Sequence, residues 1–230
     1  MLPKTDLHVH SQFSPCAEDV TIEKNAEKAL RKGVEILAIT DHGVVKRPSW
    51  LAQYFHELEK VRKKYEGKIV ILSGMEVDIL DDGQPAVAAD ILSNLDIVVG
   101  SVHRVDPSRP LECWYRKVKK ALESGWLHVL GHPTDAGWRK ISPPVEQTLE
   151  LLDIAKSQGI AVEMNSHHKN PQPDFLKLAV KTRVKITPNS DAHNLREVAD
   201  HTWHIKALRR AKIDPGEVNW LREKDIQKLL

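Results

Sequence analysis

Short apolar runs alternate with longer amphipathic ones along the chain. The first run, Asp6-Leu7-His8-Val9-His10, reads as a strand, and Thr21 then caps a helix through Lys32 whose apolar positions Ile22, Ala26, Ala29 and Leu30 share one face. Gly33 ends that helix. Ile36-Leu37-Ala38-Ile39-Thr40 has the continuous apolar character of a buried parallel strand, and a helix follows over about 49–65. The pattern predicts further strands at 69–72, 97–100, 128–130, 160–164 and 184–187, most of them separated by helices over 85–94, 111–124, 144–158 and 173–181. Strand, helix and strand at this spacing imply right-handed crossovers and a parallel sheet. With about seven strands, the expected fold is α/β, a (β/α)7 barrel of the TIM type, closed and not open. The tail over about 195–230 reads as helical, broken around Asp214-Pro215-Gly216, and neither a linker nor an internal repeat divides the chain, so 1–230 is expected to be one domain.

Composition narrows the function classes. A chain of 230 residues with 41% hydrophobic content can build one sizeable core. No apolar run approaches the roughly 20 residues that cross a bilayer, and Met1-Leu2-Pro3-Lys4 leads into a strand and not into a signal peptide, so a cytoplasmic protein without a membrane partner is expected. Cys16 and Cys113 are far apart and suit a reducing compartment. The formal net charge of +2 announces no polyanionic partner. The twelve histidines are an excess that points to metal chemistry.

Where metal-type side chains fall relative to the strands sharpens the picture. In an extended chain His8 and His10 point the same way and can present two imidazoles to one ion. His42 follows the second strand, Glu76 the third, His103 the fourth, His132 the fifth, and Asp191 with His193 the seventh. In a parallel barrel these strand ends converge on one mouth. So many nitrogen and oxygen donors exceed the needs of one four-coordinate ion, which implies at least two, with Glu76 or Asp191 able to bridge.

Asp-Leu-His-Val-His at 6–10, Thr-Asp-His at 40–42, Gly-Met-Glu-Val-Asp at 74–78, Ser-Val-His at 101–103, Gly-His-Pro at 131–133 and Asn-Ser-Asp-Ala-His at 189–193 resemble the successive motifs of the polymerase and histidinol phosphatase (PHP) superfamily. The likeness is drawn especially to the metal-dependent domain of bacterial family X DNA polymerases, here without a polymerase module. The resemblance implies a distorted seven-stranded barrel, three metal ions and phosphoesterase activity. It implies one ion among His8, His10, Glu76 and Asp191, a second among Glu76, His103 and His132, and a third at His42 and His193. The superfamily usually offers His or Asp in the loop after the first strand, and this chain has Cys16 near that place. As a thiolate Cys16 would bias the site toward zinc and away from manganese; as an apolar filler it would leave the third site weak.

The expected function is therefore a metal-dependent phosphoesterase that hydrolyses a phosphate ester through a hydroxide bridging two to three divalent ions of zinc, manganese or iron. Glu76, Asp191 and Asp41 are the expected catalytic residues, with Asp41 orienting His42 or a neighbouring group. Arg104, Lys169 and Arg139 follow strands on the mouth side and are the expected phosphate binders; Arg109 lies nearby. His167 and His168 are read as loop histidines without a role. Trp50 and Trp138 are expected to face the mouth, whereas Trp114, Trp126 and Trp203 fall in helical contexts where packing is the default. Glu163 is expected beside the metal cluster and Cys113 in the packing. A small phosphomonoester such as histidinol phosphate is the favoured substrate. The alternatives are a 3′-5′ exonuclease or phosphodiesterase on nucleic acid, and a non-catalytic metal-binding scaffold for a nucleic-acid or protein partner.

Overall fold

The alternating pattern becomes alternating elements in a computed structural model that describes residues 1–226. In chain order these are β1 (Thr5–Asp6), α1 (Ile22–Arg31), β2 (Ile36–Ile39), β3 (His42–Gly43), α2 (Leu51–Lys64), β4 (Val70–Asp78), α3 (Ala89–Leu92), β5 (Ile97–Ser101), α4 (Pro110–Ser124), β6 (Val129–Leu130), β7 (Asp135–Ala136), β8 (Arg139–Lys140), α5 (Val145–Ser157), β9 (Ala161–Asn165), α6 (Pro173–Thr182), β10 (Ile186–Asn189), α7 (Thr202–Ala211) and α8 (Glu223–Ile226). The Thr21 hydroxyl accepts the Lys24 N–H at 3.1 Å and caps α1 as its sequence demands.

Seven strands form one path, β1-β2-β4-β5-β6-β9-β10, with every pairing parallel. The barrel closes nearly but not fully. Between β10 and β1 there is no ladder; a parallel bridge joins Val9 to Ala192, the Asp191 N–H donates to the His8 carbonyl at 2.8 Å, and the His10 N–H donates to the Ala192 carbonyl at 3.0 Å. The seam is thus made by the residues just beyond the two strands, and it carries His8, His10 and Asp191 into contact. Off the main path, β3 pairs with β4 and sets His42 opposite Glu76.

Strand alternation sorts the side chains. Leu37, Ile39 and Ile71 pack with Ile22, Ala26, Ala29, Tyr54 and Leu58 of α1 and α2, and Leu130, Val162, Met164 and Ile186 pack with residues of α4 to α7. The other faces supply a separate cluster of Leu7, Ile36, Ala38, Leu72, Ile97, Val99, Val129 and Ala161, with Leu221 and Ile226 packed against it. Further along those same faces stand Glu76, Ser101, Glu163 and Asn165, all buried. The interior is therefore apolar toward the strands' beginnings and polar toward their ends, as the barrel's catalytic mouth requires.

Three expectations need correction. The helix expected over 85–94 is a single turn, Ala89–Leu92, because β4 continues to Asp78 and the chain then folds back: Ile79 bridges Pro85, and the Ala86 N–H donates to the Asp78 carbonyl at 3.0 Å. A short antiparallel hairpin, β7 and β8, interrupts the loop after β6. Its central residues Gly137 and Trp138 both have positive φ, 61° and 69°, the requirement of a primed hairpin turn. Trp126 lies beyond the end of α4, where its indole N–H donates to the Gly83 carbonyl at 2.9 Å. The tail breaks between α7 and α8 as expected, and residues 227–230 of that tail lie outside the described residues.

Candidate metal centre

Glu76, on β4, is 1% exposed and faces the barrel interior. Five imidazoles meet its carboxylate. His42 Nδ1 stands 2.8 Å and His10 Nε2 3.6 Å from Oε2; His132 Nε2, His103 Nε2 and His8 Nε2 stand 3.1, 3.3 and 3.5 Å from Oε1. Across the seam, Asp191 Oδ1 lies 3.0 Å from His10 Nε2 and 3.4 Å from His8 Nε2. Asp191 adopts a left-handed φ of 53°, a conformation that costs a non-glycine residue about 1 kcal/mol or more and that persists where surrounding structure enforces it.

The opposite nitrogens decide what these rings offer. His8 Nδ1 meets Glu163 Oε1 at 2.9 Å, His103 Nδ1 meets Asp78 Oδ1 at 2.5 Å, and His193 Nδ1 meets the Asp191 carbonyl at 2.9 Å. His132 Nδ1 faces the Asp135 carbonyl at 3.3 Å. His10 Nδ1 meets Ser14 Oγ at 2.9 Å, and that hydroxyl gives its own proton to Asp41 Oδ1 at 2.6 Å. Each of these partners can only accept, so each Nδ1 keeps the ring proton and each Nε2 turns a lone pair toward the cluster. Lone pairs facing carboxylate oxygens repel unless a cation lies between them. His8 Nε2, His42 Nδ1 and Glu76 Oε2 are in fact buried without a hydrogen-bond partner, a state that ordinarily costs about 1–3 kcal/mol per group. The residues therefore fit a metal cluster, and mixed imidazole and carboxylate donors suit zinc, manganese or iron.

Protons are the competitors for those lone pairs. Burial disfavours charge on His8, His42 and His103, yet Asp191 and Glu163 hold His8 well above the usual range, and Glu76 holds His42 at about 11 and His103 at about 10. Glu76 and Asp191, against their own burial, are held well below the usual carboxylate range by these histidines. His10 goes the other way, pushed down to about 3 by burial.

Three close groups share members: His8, His10 and Glu76; His42, Glu76 and His103; His10, His42 and His193. The sequence-based grouping did not join His10 to the last pair. A further group, His132, Asp135 and His168, adjoins them. Cys16 is exposed, and its thiol faces two cluster histidines: burial raises its pKa, but hydrogen bonding to His193 and His42 brings it down to about 6. Cys16 itself belongs to none of these close groups.

The other expected residues divide. Asp41 is buried and its carboxylate accepts from Ser11 and Ser14, so that carboxylate acts on His10 through the Ser14 hydroxyl, while the Asp41 carbonyl accepts the Glu76 N–H at 3.1 Å. Glu163 ties His8 to the His132 N–H, which it accepts at 2.7 Å. A cavity of about 380 Å³ opens over the cluster, lined by Glu76, His103, Asp191, His193, Trp138 and His168 among others. None of Arg104, Arg139 and Lys169 lines it. Arg104 lies in an adjoining groove with Cys16, His42 and His103; Arg139 is exposed on β8; the Lys169 ammonium donates to the Ser166 carbonyl; and Arg109 pairs with Glu112. Trp50 does not face the mouth: it stacks on Phe13 with centroids 5.6 Å apart and packs against Tyr54, because α2 begins at Leu51 and turns the ring toward the barrel's outer layer. Cys113 is buried on α4.

His168, expected in a loop without a role, stands instead in the wall of the site. It is 7% exposed, its ring stacks on His132 with centroids 4.4 Å apart, its Nδ1 lies 3.4 Å from Asp135 Oδ2, and its Nε2 lies 3.6 Å from Asp191 Oδ2. Ser14 and Asp135 were not singled out at all. Asp135 stands three residues after His132 in the same strand-end loop, which is the one sequence signal for it; nothing in the local sequence marks Ser14.

The PHP domain family matches residues 6–167, a span that stops short of Asp191 and His193. A protein of Thermoanaerobacter sp. (strain X514) named "Probable phosphatase" is 30% identical over 239 aligned residues, covering 95% of this chain and 94% of the relative. PolX of Bacillus subtilis (strain 168), a DNA polymerase/3′-5′ exonuclease, is 28% identical over 236 residues, 99% of this chain but 41% of its own length. Among solved structures, histidinol phosphate phosphatase from Lactococcus lactis subsp. lactis Il1403, complexed with zinc, L-histidinol and phosphate, superposes with a TM-score of 0.68 at 18% identity, covering 93% of this chain and 95% of that one. Among the described residues no helix is long and apolar enough to cross a membrane.

Proposed function

We infer, from the premise that the chain belongs to the PHP domain family, that it is a metal-dependent phosphoesterase whose substrate is a small phosphate monoester, cleaved at the Glu76 cluster. The observation that carries this reading is the buried Glu76 carboxylate approached by five imidazoles, four of which keep the ring proton on the nitrogen turned away from it. His8, His10 and Asp191 would hold one divalent ion, His103 and His132 a second, and His42, His193 and Cys16 a third, with Glu76 shared. Bound there, such ions lower the pKa of a coordinated water toward about 7 and neutralise charge on the phosphoryl oxygens.

The protein's own groups prepare that chemistry. Glu163 and Asp78 fix the tautomers of His8 and His103, and the Asn165 amide donates to Asp191 Oδ2 at 2.9 Å, leaving Oδ1 toward His8 and His10. Asp41 and Ser14 hold His10, so their role is orientation and not contact with substrate. Arg104, beside Cys16, His42 and His103, is the cation best placed to meet a phosphate entering from the adjoining groove.

A cavity of about 380 Å³ suits a small ester better than a strand of nucleic acid, and coverage of the phosphatase relative nearly end to end supports the same choice. The likeness to PolX over 99% of this chain sustains a nuclease as the second reading. The test is to assay metal-reconstituted protein against p-nitrophenyl phosphate, a panel of phosphomonoesters and labelled single-stranded DNA. Monoester hydrolysis without DNA degradation is expected. DNA degradation without monoester hydrolysis would promote the nuclease, and inactivity on both would promote the scaffold.

A further inference from the structure

A charged side chain interrupts the apolar stripe of α4. The buried positions of that helix are Cys113, Trp114, Lys117, Val118, Ala121 and Leu122, spaced as one helical face, and Lys117 is only 6% exposed. Lysine is almost never buried to this degree without partners, because moving an ammonium out of water is costly. The Lys117 ammonium has two: it donates to the Arg104 carbonyl at 2.9 Å and stands 2.9 Å from Asp81 Oδ1. The Asp81 side chain is 81% exposed, and an ion pair with so open a carboxylate adds little and does not by itself require a buried lysine. The carbonyl is what the buried route reaches.

Asp81 and Arg104 belong to neighbouring loops of the barrel mouth, those that follow β4 and β5, and α4 touches both. Gly83, with a φ of 82°, is pressed so closely on α4 that an added Cβ would sit 2.3 Å from Lys120 Cβ. On the other side Gly137 of the β7–β8 hairpin stands against His103, where an added Cβ would lie 2.1 Å from the carbonyl oxygen. The consecutive carbonyls of His103 and Arg104 are thus both held, the first by the hairpin and the second by Lys117. The Arg104 side chain, by contrast, is exposed and lines the groove beside Cys16, His42 and His103.

Resting on the reading of this site as a phosphoesterase with Arg104 as its phosphate-binding cation, we propose that Lys117 is a positioning residue for Arg104. By fixing the Arg104 carbonyl it holds the root of that side chain beside the cluster, so the guanidinium meets phosphate without first ordering its loop. Ordering a loop on binding subtracts directly from affinity, and a preset backbone removes that cost. The effect falls on binding and not on the chemical step, because a group that holds phosphate equally in ground and transition states changes KM alone.

The test uses metal-reconstituted wild type, Lys117→Met, Lys117→Arg, Arg104→Ala and the double variant of Lys117→Met with Arg104→Ala. Each is titrated calorimetrically with inorganic phosphate and assayed for KM and kcat on p-nitrophenyl phosphate. Lys117→Met keeps the apolar stem and should weaken phosphate binding and raise KM about tenfold with kcat nearly unchanged, and Lys117→Arg should restore most of both. In the Arg104→Ala background the same change should do nothing further. A latch that serves stability alone would lower the denaturation midpoint and leave phosphate affinity where it was, and that outcome overturns the proposal. A loss that persists in full without the Arg104 side chain overturns it as well. Should Lys117→Met not fold, Lys117→Gln, one bond shorter and still polar at its end, is read in the same way. Phosphate affinity that depends on Lys117 through Arg104 in a protein that hydrolyses no monoester would sink the phosphatase reading and keep the positioning role, whereas monoester hydrolysis with unchanged affinity in the Lys117 variants would sink the positioning role alone.

Discussion

Individual residues of the cluster have separable effects. Glu76→Gln keeps the volume and one oxygen but loses the charge and the second acceptor that faces His42 and His10. Turnover should fall by several orders of magnitude, since the variant loses a metal-bound water with a pKa near ~7 and is left with a free one near ~15.7. The fold should persist, because the apolar cluster nearer the strands' beginnings does not include this residue. Circular dichroism beside steady-state kinetics checks both halves; near-normal turnover in a folded variant would defeat the shared-carboxylate mechanism. Cys16→Ala should lower metal content by about one ion per chain, because the thiol is exposed and faces His42 and His193. Elemental analysis decides this, and an unchanged stoichiometry would leave the cysteine without a metal. Arg104→Ala should raise KM for monoesters while changing kcat little, as expected of a group that holds phosphate equally in ground and transition states.

At the scale of elements, one hydroxyl of α2 ties two strands of the sheet together. Tyr54 Oη donates to the Ile39 carbonyl at 2.7 Å and accepts the Gly74 N–H at 2.8 Å, bridging β2 and β4 just below the point where β3 presents His42 to Glu76. Tyr54→Phe would leave both backbone groups buried and unpaired, at a cost of about 1–3 kcal/mol. Urea denaturation should show the midpoint shifted down with little change in slope. A shift below a few tenths of a kcal/mol would mean that water replaces the hydroxyl. The amphipathic helices α1, α2, α4, α5 and α6 were legible from their periodicity, because one apolar stripe is a local property of 10 to 15 residues. The hairpin of β7 and β8 was not, since two-residue strands carry no period and its turn uses Trp138 where glycine or asparagine is the usual signal.

For the whole molecule, metal and protons compete for one set of nitrogens. Burial opposes charge on His42 and His103, but Glu76 holds them at about 11 and about 10, so a metal entering near neutral pH must expel those protons. Metal affinity should therefore strengthen from pH 6.5 toward pH 10, by about tenfold per pH unit for each proton released; titration against a chromophoric chelator at two pH values measures it. The folded pKa values are raised above the unfolded value near 6.5, so in metal-free protein these protons stabilise the fold fully below pH 6.5, and their contribution is lost as pH rises through about 10 to 11. The Tm gap between metal-loaded and chelator-stripped protein should accordingly widen from pH 6.5 to pH 9. A gap that narrows over that range would contradict the competition.

By itself, the sequence determined the fold class and the cast of candidate ligands. Period-two and period-3.6 patterns are local, and a histidine or carboxylate at the end of an apolar run declares its place at a barrel mouth without knowledge of its neighbours: His8, His10, His42, Glu76, His103, His132, Asp191 and His193 all stand together in the structure. Only the tertiary structure decided which of them meet, because Glu76 and His132 or His8 and Asp191 are brought together by strand register and by a seam between the first and last strands. It decided equally what loops do. Trp50 turned into the packing and Trp138 out over the cavity, His168 moved from an idle loop to the wall of the site, and neither Arg139 nor Lys169 lines that cavity. Loop residues have no periodicity to fix their facing; their direction follows from left-handed turns, from a backbone that tolerates only glycine against His103, and from hydrogen bonds to residues distant in the chain.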